Sequence, residues 1–222
     1  ANSGGWCLDH VIFFYFRKVK MLRLVLILII LFFVTKTETF INKDQHGYDK
    51  VWTSRAAFDT LTLDEVKREY IMNSHKLKPE FSGFGGTIRH RKKWKPSKNS
   101  RLTRALKDKR FISRLHNIIG RGSLVLNEGS AAPEYRIYEK NGEMKWHRDT
   151  VLSSPPQYEV VITLYNDSDS QFLWKHEGKK DVNRQDTNTN NITIVRAGGI
   201  EHAVSPVSRG KRVIIKAAYD VI

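Results

Sequence analysis

Cysteine is almost absent from this 222-residue sequence, in which Cys7 is the single example. One thiol cannot form a disulfide within the chain, and it cannot complete a zinc site that needs two or more cysteines. Any metal site must therefore depend mainly on histidine, aspartate and glutamate. The chain also contains no internal repeat, and its 40% hydrophobic and 27% charged residues are typical of a globular protein rather than a disordered one.

Long hydrophobic runs are lacking as well. The apolar segment at residues 24–34 has eleven residues, whereas an ordinary membrane-spanning helix needs about 20. A short basic start at residues 21–23 precedes it, which is the layout of a secretory signal sequence. We interpret residues 1–34 as a signal-like or signal-anchor segment, with a buried core helix as the alternative. This predicts a location in the secretory pathway or endoplasmic reticulum, either lumenal or membrane-anchored.

The first methionine is Met21, and residues 1–20 are interpreted as an over-extended gene model. If translation begins upstream, residues 11–34 would instead form a poor membrane anchor and mediate membrane association. In a secretory setting Asn166 and Asn191 would be glycosylation acceptors, because each begins an Asn-x-Ser/Thr sequence.

Acidic residues are scarce: 23 Asp and Glu stand against 38 Lys and Arg, which gives a net charge of +15. Residues 89–114 hold twelve of the basic residues and one acid, Asp108. Such a stretch suits contact with nucleic acid, an acidic peptide or an anionic membrane surface. The alternative, which we favour, is a solvated helix face.

Helical spacing of apolar residues is the main pattern of the N-terminal half. Thr62 starts a capping box, and a helix is predicted over residues 63–73. A second helix is predicted between Ser100 as its N-cap and Gly120 as its C-terminal stop. Residues 35–121 are therefore interpreted as an N-terminal helical and basic region.

From residue 122 onward the apolar residues alternate with polar ones, which is typical of strands. The polar segment 176–191 is interpreted as a long loop with room for one short strand. Strands without intervening helices favour a sandwich or a jelly-roll barrel over residues 122–222. The predicted strands lie at residues 124–127, 133–139, 143–149, 157–165, 171–175, 191–197, 201–206 and 210–219.

Two candidate metal ligands lie on a predicted hairpin, after its turn at Asn141-Gly142. The second strand of this hairpin carries His147 and Asp149, and residues two apart on a strand project to the same side. His202, at the start of a distant predicted strand, would complete a 2-His-1-carboxylate set. That set leaves coordination positions open and suits Fe(II). Taken singly, these residues also fit a chance surface pair and an ordinary strand histidine.

Arg212 begins an otherwise apolar strand, ten residues after His202. A buried guanidinium is costly unless it meets an anion, and its fork can bind a carboxylate through two hydrogen bonds. Arg212 is therefore a candidate anion ligand. Lys216, on the same face of the strand, is its rival, and a surface cation at the strand start is the other interpretation.

These residues together resemble the Fe(II)/2-oxoglutarate-dependent dioxygenases, specifically their prolyl 4-hydroxylase-like branch. The similarity covers about residues 120–220. It is closest over residues 202–212, which keep that branch's His-Ala…Pro-Val…Gly-x-Lys pattern with Arg212 in place of the lysine. The resemblance implies a mainly β fold, in which a double-stranded β-helix (jelly-roll) core has the N-terminal helices packed against it.

The resemblance also implies a set of site residues. The catalytic metal ligands for Fe(II) would be His147, Asp149 and His202. The co-substrate 2-oxoglutarate would be bound by Arg212 and by Tyr138, for which plain barrel packing is the alternative. Ascorbate is expected as a further cofactor that rescues iron after uncoupled turnover. Where the prolyl hydroxylases usually have a second tyrosine, this chain has Met144, and that departure leaves the substrate open.

The expected function is the hydroxylation of a protein or peptide side chain, proline first, coupled to decarboxylation of 2-oxoglutarate to succinate and CO2. One alternative directs the same chemistry at a nucleic acid gripped by residues 89–114. Another is a non-catalytic β-barrel binding module, against which the presence of the whole residue set argues. Residues 150–157 and 176–191 are the loops expected to hold the substrate.

Overall fold

The computed structural model describes residues 48–80, 86–120 and 122–222. The signal-like segment predicted over residues 1–34 lies outside this part of the chain. Among the described helices, none is long and apolar enough to cross a membrane. Over the described residues the fold is mainly β, as predicted, with three α-helices packed against a curled antiparallel sheet.

The first helix, α1, spans Thr60–Asn73 and confirms the helix predicted over residues 63–73. Its N-cap is Asp59 rather than the predicted Thr62. The Asp59 carboxylate accepts a hydrogen bond of 2.9 Å from the backbone N–H of Thr62 and thereby satisfies one of the unpaired donors of the first turn. A 3₁₀ turn, Ser74–Lys76, follows the helix.

The single helix predicted between Ser100 and Gly120 is instead two helices, α2 at Arg101–Lys107 and α3 at Lys109–Ile119. Asp108 separates them: its extended backbone (φ −60°, ψ 133°) ends α2. Its carboxylate then caps α3 by accepting a hydrogen bond of 2.8 Å from a backbone N–H of the first turn. The outer ends are as predicted, because Ser100 caps α2 and Gly120 ends α3 in the left-handed conformation, φ 77°.

Eleven strands form the described sheet. Each strand predicted after residue 122 overlaps an observed strand, but those predicted at 133–139 and 143–149 both belong to β5. β8 is the short strand inside the 176–191 loop. The sequence does not predict β1, β2 or β3, because these short or strongly basic segments show no apolar alternation. The strands are β1 Val51–Ser54, β2 Lys78–Pro79, β3 Ile88–Trp94, β4 Leu124–Leu126, β5 Glu134–His147, β6 Tyr158–Asn166, β7 Gln171–Lys175, β8 Asn183–Asp186, β9 Ile192–Arg196, β10 Glu201–Val204 and β11 Arg212–Val221.

The hairpin predicted around Asn141-Gly142 is wrong, because β5 runs through this point as one strand. Asn141 has a left-handed backbone (φ 66°). A Cβ on Gly142 would lie 2.7 Å from the carbonyl oxygen of Glu139, so glycine is required there. Arg89 of β3 pairs with Glu143 of β5, whereas Arg91, two residues later on β3, pairs with Tyr138, five residues earlier on β5. The residues between them form a bulge, not a turn.

Strand pairing curls the sheet around β5. The pairing order is β1-β9-β6-β11-β5-β10-β7-β8, with β3 also on β5, β2 on β3 and β4 on β11. The first half of β5 pairs with β11 and its second half with β10. The bulge lies between the two halves, and bulges bend strands, so β5 carries the sheet around the barrel wall.

Alternation along the strands gives the sheet two different faces. One face is apolar and packs with the helices into a single hydrophobic core. Members of that core include Val66, Leu102 and Leu115 from the helices and Tyr135, Ile137, Val160, Ile162, Ile215 and Tyr219 from the strands. The intervening strand residues point to the other side, into the barrel. Many of these inward residues are polar or charged.

Candidate active site

A cavity inside the barrel is lined by all five site residues predicted from the sequence. They come from β5, from the loop after it, and from the first residues of β10 and β11. They are Tyr138, His147, Asp149, His202 and Arg212. The fold therefore brings together side chains that are far apart along the chain.

Pairing of β5 with β10 places His147 directly opposite His202, with ring centroids 4.3 Å apart. Asp149 lies two residues beyond the end of β5, although the strand is predicted to reach residue 149. Its backbone carbonyl accepts a hydrogen bond of 2.8 Å from the N–H of Gly198, which fixes this short extension. The Nε2 atoms of His147 and His202 lie 3.8 Å and 3.4 Å from the Asp149 carboxylate oxygens.

The triad His147, Asp149 and His202 fits one metal ion. Each side chain offers one ligand atom, and these atoms lie within 4.8 Å of one another. Metal–ligand bonds of about 2.1 Å at right angles would place neighbouring ligand atoms roughly 3 Å apart, so only a small closure is needed. The Nε2 of His147 is buried and has no hydrogen-bond partner among the described residues.

Both imidazoles are held in the orientation that a metal requires. The Nδ1 atom of His147 lies 2.8 Å from the carbonyl of Lys145, and that of His202 lies 3.1 Å from the carbonyl of Ile200. Because a carbonyl oxygen can only accept, each Nδ1 carries a proton, and Nε2 is then the atom of the neutral imidazole that offers a lone pair to a metal.

Burial and charge also favour the protonation states of metal ligands. Burial lowers the pKa of His202, and the nearby Asp149 carboxylate opposes this only in part, so the imidazole is neutral at pH 7. Burial opposes ionisation of Asp149, but the close contact with the His147 imidazole and the charge of Lys216 outweigh it and lower the pKa of Asp149. Metal binding needs a neutral imidazole and an ionised carboxylate, which are the states of His202 and Asp149.

Arg212 is a buried cation with hydrogen-bond donors that the described residues leave unused. The residue is 1% exposed, and its Nε and Nη1 atoms have no hydrogen-bond partner among the described residues. Burial lowers the pKa of Arg212 to about 10, although Tyr138, its cross-strand partner, opposes the shift. Arginine still stays protonated at neutral pH. A buried, protonated guanidinium with unused donors is suited to bind an anion.

Two other buried guanidinium groups adjoin this cavity, and both already have carboxylate partners. Arg91 lies 2.6 Å from Glu80, and Arg136 is ion-paired with Glu134. No such partner of Arg212 occurs in the described part of the chain. Arg212 is therefore the member of this group that remains available for a ligand carboxylate.

Tyr138 is fully buried beside these arginines. Its hydroxyl accepts a hydrogen bond of 2.9 Å from Arg91 and lies 3.7 Å from the sulfur of Met144. Burial opposes ionisation of the phenol, but the charges of Arg91 and Arg136 outweigh it and lower the pKa of Tyr138. A more acidic phenol is a stronger hydrogen-bond donor, which suits a carboxylate in the cavity.

Lys216, the predicted rival of Arg212, already contacts two carboxylates. Its Nζ lies 3.5 Å from Asp149 and 3.2 Å from Glu159. Burial and the charge of Asp149 raise the pKa of Glu159, and Lys216 opposes them. Glu159 was not predicted as a site residue. The sequence does contain a signal for Glu159, because it is an acidic residue inside an apolar strand. Burying its charge is costly for the same reason that burying Arg212 is costly.

The basic stretch, residues 89–114, does not form one solvated face. Arg91 is 2% exposed, and nothing in the local sequence distinguishes it from Arg89 or Lys93. It turns inward because His90 adopts a left-handed backbone (φ 46°) where the pairing with β5 shifts. Six of the twelve basic residues form ion pairs with acids, namely Arg89, Arg91, Lys92, Lys93, Lys107 and Arg110.

A groove beside the cavity reaches the triad. Groove and cavity share four residues, which are Arg136, Asp149, Glu159 and Lys216. The residues that line the groove include Lys93, Lys95, Thr150 and Leu152. Leu152 is 46% exposed, so the groove presents an apolar side chain to solvent. Thr150 and Leu152 belong to one of the two loops predicted to hold the substrate.

No protein-family model and no curated protein sequence matches this chain. Solved structures do match its fold. One is a 2OG-Fe(II) oxygenase family oxidoreductase from Burkholderia pseudomallei, with 16% identity and a TM-score of 0.62 over 77% of this chain and 84% of that one. This chain has the fold of the 2-oxoglutarate/Fe(II) oxygenases. The jelly-roll core predicted from the sequence is thereby confirmed.

Two further structures with this oxygenase fold contain ligands. A prolyl hydroxylase from Trichoplax adhaerens is in complex with a peptide fragment of the hypoxia inducible factor oxygen degradation domain; it is 15% identical, with a TM-score of 0.61 over 85% of this chain and 92% of that one. HygX from Streptomyces hygroscopicus has nickel, 2-oxoglutarate and hygromycin B bound; it is 10% identical, with a TM-score of 0.57 over 83% of this chain and 86% of that one.

Proposed function

We propose that this protein is an Fe(II)- and 2-oxoglutarate-dependent dioxygenase that hydroxylates a protein or peptide side chain, with proline as the first candidate. The reaction is coupled to decarboxylation of 2-oxoglutarate to succinate and CO2. One observation carries the proposal: a single cavity contains both a His-Asp-His triad and a buried arginine whose donors have no acceptor among the described residues. Iron, when bound, supplies the activation of O2.

The side chains of the cavity then have separate tasks. His147, Asp149 and His202 hold the metal. Arg212 binds the distal carboxylate of 2-oxoglutarate through Nε and Nη1, and Tyr138 donates a hydrogen bond to the same group. Arg212 and the triad line the same cavity. Binding of the distal carboxylate by Arg212 therefore directs the 2-oxo acid end of 2-oxoglutarate toward the metal. Ascorbate would serve as the reductant that returns oxidised iron to Fe(II) after uncoupled turnover.

The groove beside the triad supports a substrate that enters from solvent, such as a peptide segment. Its walls combine charged side chains with the exposed Leu152, so both polar and apolar contacts are available. A prolyl hydroxylase with the same fold holds a peptide fragment. The signal-like segment at residues 1–34 leads us to propose the secretory pathway as the site of action.

A nucleic-acid substrate has weaker support. Half of the cations in residues 89–114 are ion-paired within the protein, and Arg91 is buried, so the stretch offers less free charge than its composition indicates. Binding to phosphates falls steeply as salt concentration rises, whereas binding of a neutral peptide does not. A screen of proline-rich peptides and methylated oligonucleotides at two salt concentrations would separate the two substrates.

Release of succinate from 2-oxoglutarate tests the proposal most directly. The intact protein should form succinate only when Fe(II) and O2 are present, and His147→Ala should abolish this formation. If the folded protein forms no succinate and binds no 2-oxoglutarate, the enzyme assignment is wrong.

A further inference from the structure

Arg91 makes an unusual set of contacts for a member of a basic stretch. Its side chain is 1% exposed, and a guanidinium that is taken out of water must find partners for its donors. Nε and Nη2 lie 2.7 Å and 2.6 Å from the same oxygen of Glu80. Nη1 donates to the Tyr138 oxygen at 2.9 Å and contacts the Met144 sulfur at 3.2 Å. Each of the three nitrogens therefore has a partner.

The contact with Tyr138 has a fixed direction. A guanidinium can only donate hydrogen bonds, so the phenol oxygen must be the acceptor. The hydroxyl proton of Tyr138 must then point elsewhere. The other contact of this hydroxyl is the Met144 sulfur at 3.7 Å, and a thioether is a weak acceptor. A carboxylate held by Arg212 would be a much stronger one.

Arg91 reaches this position through backbone geometry rather than sequence pattern. Arg89, two residues earlier on β3, has a side chain that is 58% exposed and pairs with Glu143. Between the two arginines, His90 is left-handed and the pairing with β5 shifts to Tyr138. Glu80 then holds the guanidinium in place, and Lys93 contacts the other Glu80 oxygen at 2.7 Å.

We propose that Arg91 is a positioning residue of the co-substrate pocket: anchored by Glu80, it donates to the Tyr138 oxygen and so presents the phenol proton to the carboxylate that Arg212 binds. The proposal rests on the proposed function and names a residue outside the cavity lining. The lowered pKa of Tyr138, to which Arg91 contributes through both its charge and its hydrogen bond, is consistent with this role.

The test compares two ligands of the Fe(II)-loaded protein, measured by calorimetry without oxygen. 2-Oxoglutarate has a distal carboxylate, whereas oxalate can chelate the metal but has none. Arg91→Met should weaken 2-oxoglutarate binding by about ten- to hundredfold, the range expected for one hydrogen bond to a charged group. It should leave oxalate binding unchanged. Arg89→Met, on the same strand but exposed, should alter neither ligand.

A double-mutant cycle asks whether Arg91 acts through Tyr138. In the Tyr138→Phe background, Arg91→Met should cause no further loss of 2-oxoglutarate affinity. Arg91→Met removes one of the two cations that pair with Glu80 and leaves Lys93 as the other. If this variant does not fold, the double variant Arg91→Met/Glu80→Gln, which also removes the carboxylate charge, replaces it in the test. Equal losses of 2-oxoglutarate and oxalate affinity in Arg91→Met would overturn the proposal. Additive effects of Arg91→Met and Tyr138→Phe on 2-oxoglutarate affinity would also overturn it. A wild-type protein that binds oxalate but no 2-oxoglutarate would instead refute the proposed function.

Discussion

Replacing Arg212 with methionine should change stability and ligand binding in opposite directions. In the ligand-free protein, burial lowers the pKa of Arg212 to about 10 from 12.5. At pH values below about 10, Arg212 is charged in both the folded and the unfolded state. Over this range its lowered pKa in the folded state decreases the free energy of unfolding. A lowering of this size corresponds to roughly 3 kcal/mol. Methionine has a similar length and no charge, so the ligand-free variant should be more stable, by about 1–3 kcal/mol.

The same substitution should nearly abolish affinity for 2-oxoglutarate. Nε and Nη1 of Arg212 both lack an acceptor among the described residues, so both are available to a carboxylate. Charge-assisted hydrogen bonds contribute about 1.5–3 kcal/mol each. Losing both should cost roughly 3–6 kcal/mol, which raises the dissociation constant by about a hundredfold to ten-thousandfold. Few substitutions stabilise a protein while removing its ligand, so the combined result is distinctive.

Denaturant unfolding without ligand and anaerobic titration of 2-oxoglutarate measure the two effects. Lys216→Met is the matched control, because it removes a cation from the same strand and cavity. It should destabilise the protein, since Asp149 and Glu159 lose their shared cation. A ligand-free Arg212→Met protein that is less stable than wild type would refute the reasoning. If Lys216→Met rather than Arg212→Met removes 2-oxoglutarate binding, the anion site has been assigned to the wrong residue.

Three other substitutions test separate parts of the structure. Asp149→Ala should abolish Fe(II)-dependent succinate release, and added Mn(II) should raise the melting temperature of wild type but not of this variant. Gly142→Ala should destabilise by about 2 kcal/mol or more in urea unfolding, because its Cβ would lie 2.7 Å from the Glu139 carbonyl oxygen; a neutral result would mean that the bulge is easily rearranged. Asp108→Ala should cost about 1 kcal/mol of unfolding free energy through loss of the α3 cap, and a gain in helix content by circular dichroism would show that Asp108 is what separates α2 from α3.

The sequence predicts those parts of this fold that local chemistry determines. Apolar alternation after residue 122 locates the strands, and the same alternation marks Arg212 as a charge in an apolar strand. The candidate ligands His147 and His202 are recognised by residue type and strand context. Their face-to-face pairing is a long-range result that no local pattern contains.

The failures have long-range causes. Asn141-Gly142 is a strong turn signal, yet the chain continues because both halves of β5 find partners on β3. Arg91 looks like its basic neighbours, and its burial depends on the backbone of His90 and on a carboxylate eleven residues away. Charge composition alone therefore overstates the exposed charge of residues 89–114, because it cannot show which cations have partners.

Charge balance in the cavity links the two halves of the proposed site. Arg136 is neutralised by Glu134, so two acidic side chains, Asp149 and Glu159, and two basic ones, Arg212 and Lys216, remain in the lining. With Glu159 ionised beside Lys216, these charges cancel. A divalent metal alone would leave two uncompensated positive charges in a buried space, and a dianion alone would leave two negative ones. Together they restore neutrality, so metal and 2-oxoglutarate should each strengthen the binding of the other by the same factor. Equal affinity for 2-oxoglutarate with and without metal would show that Arg212 binds its carboxylate independently of the triad.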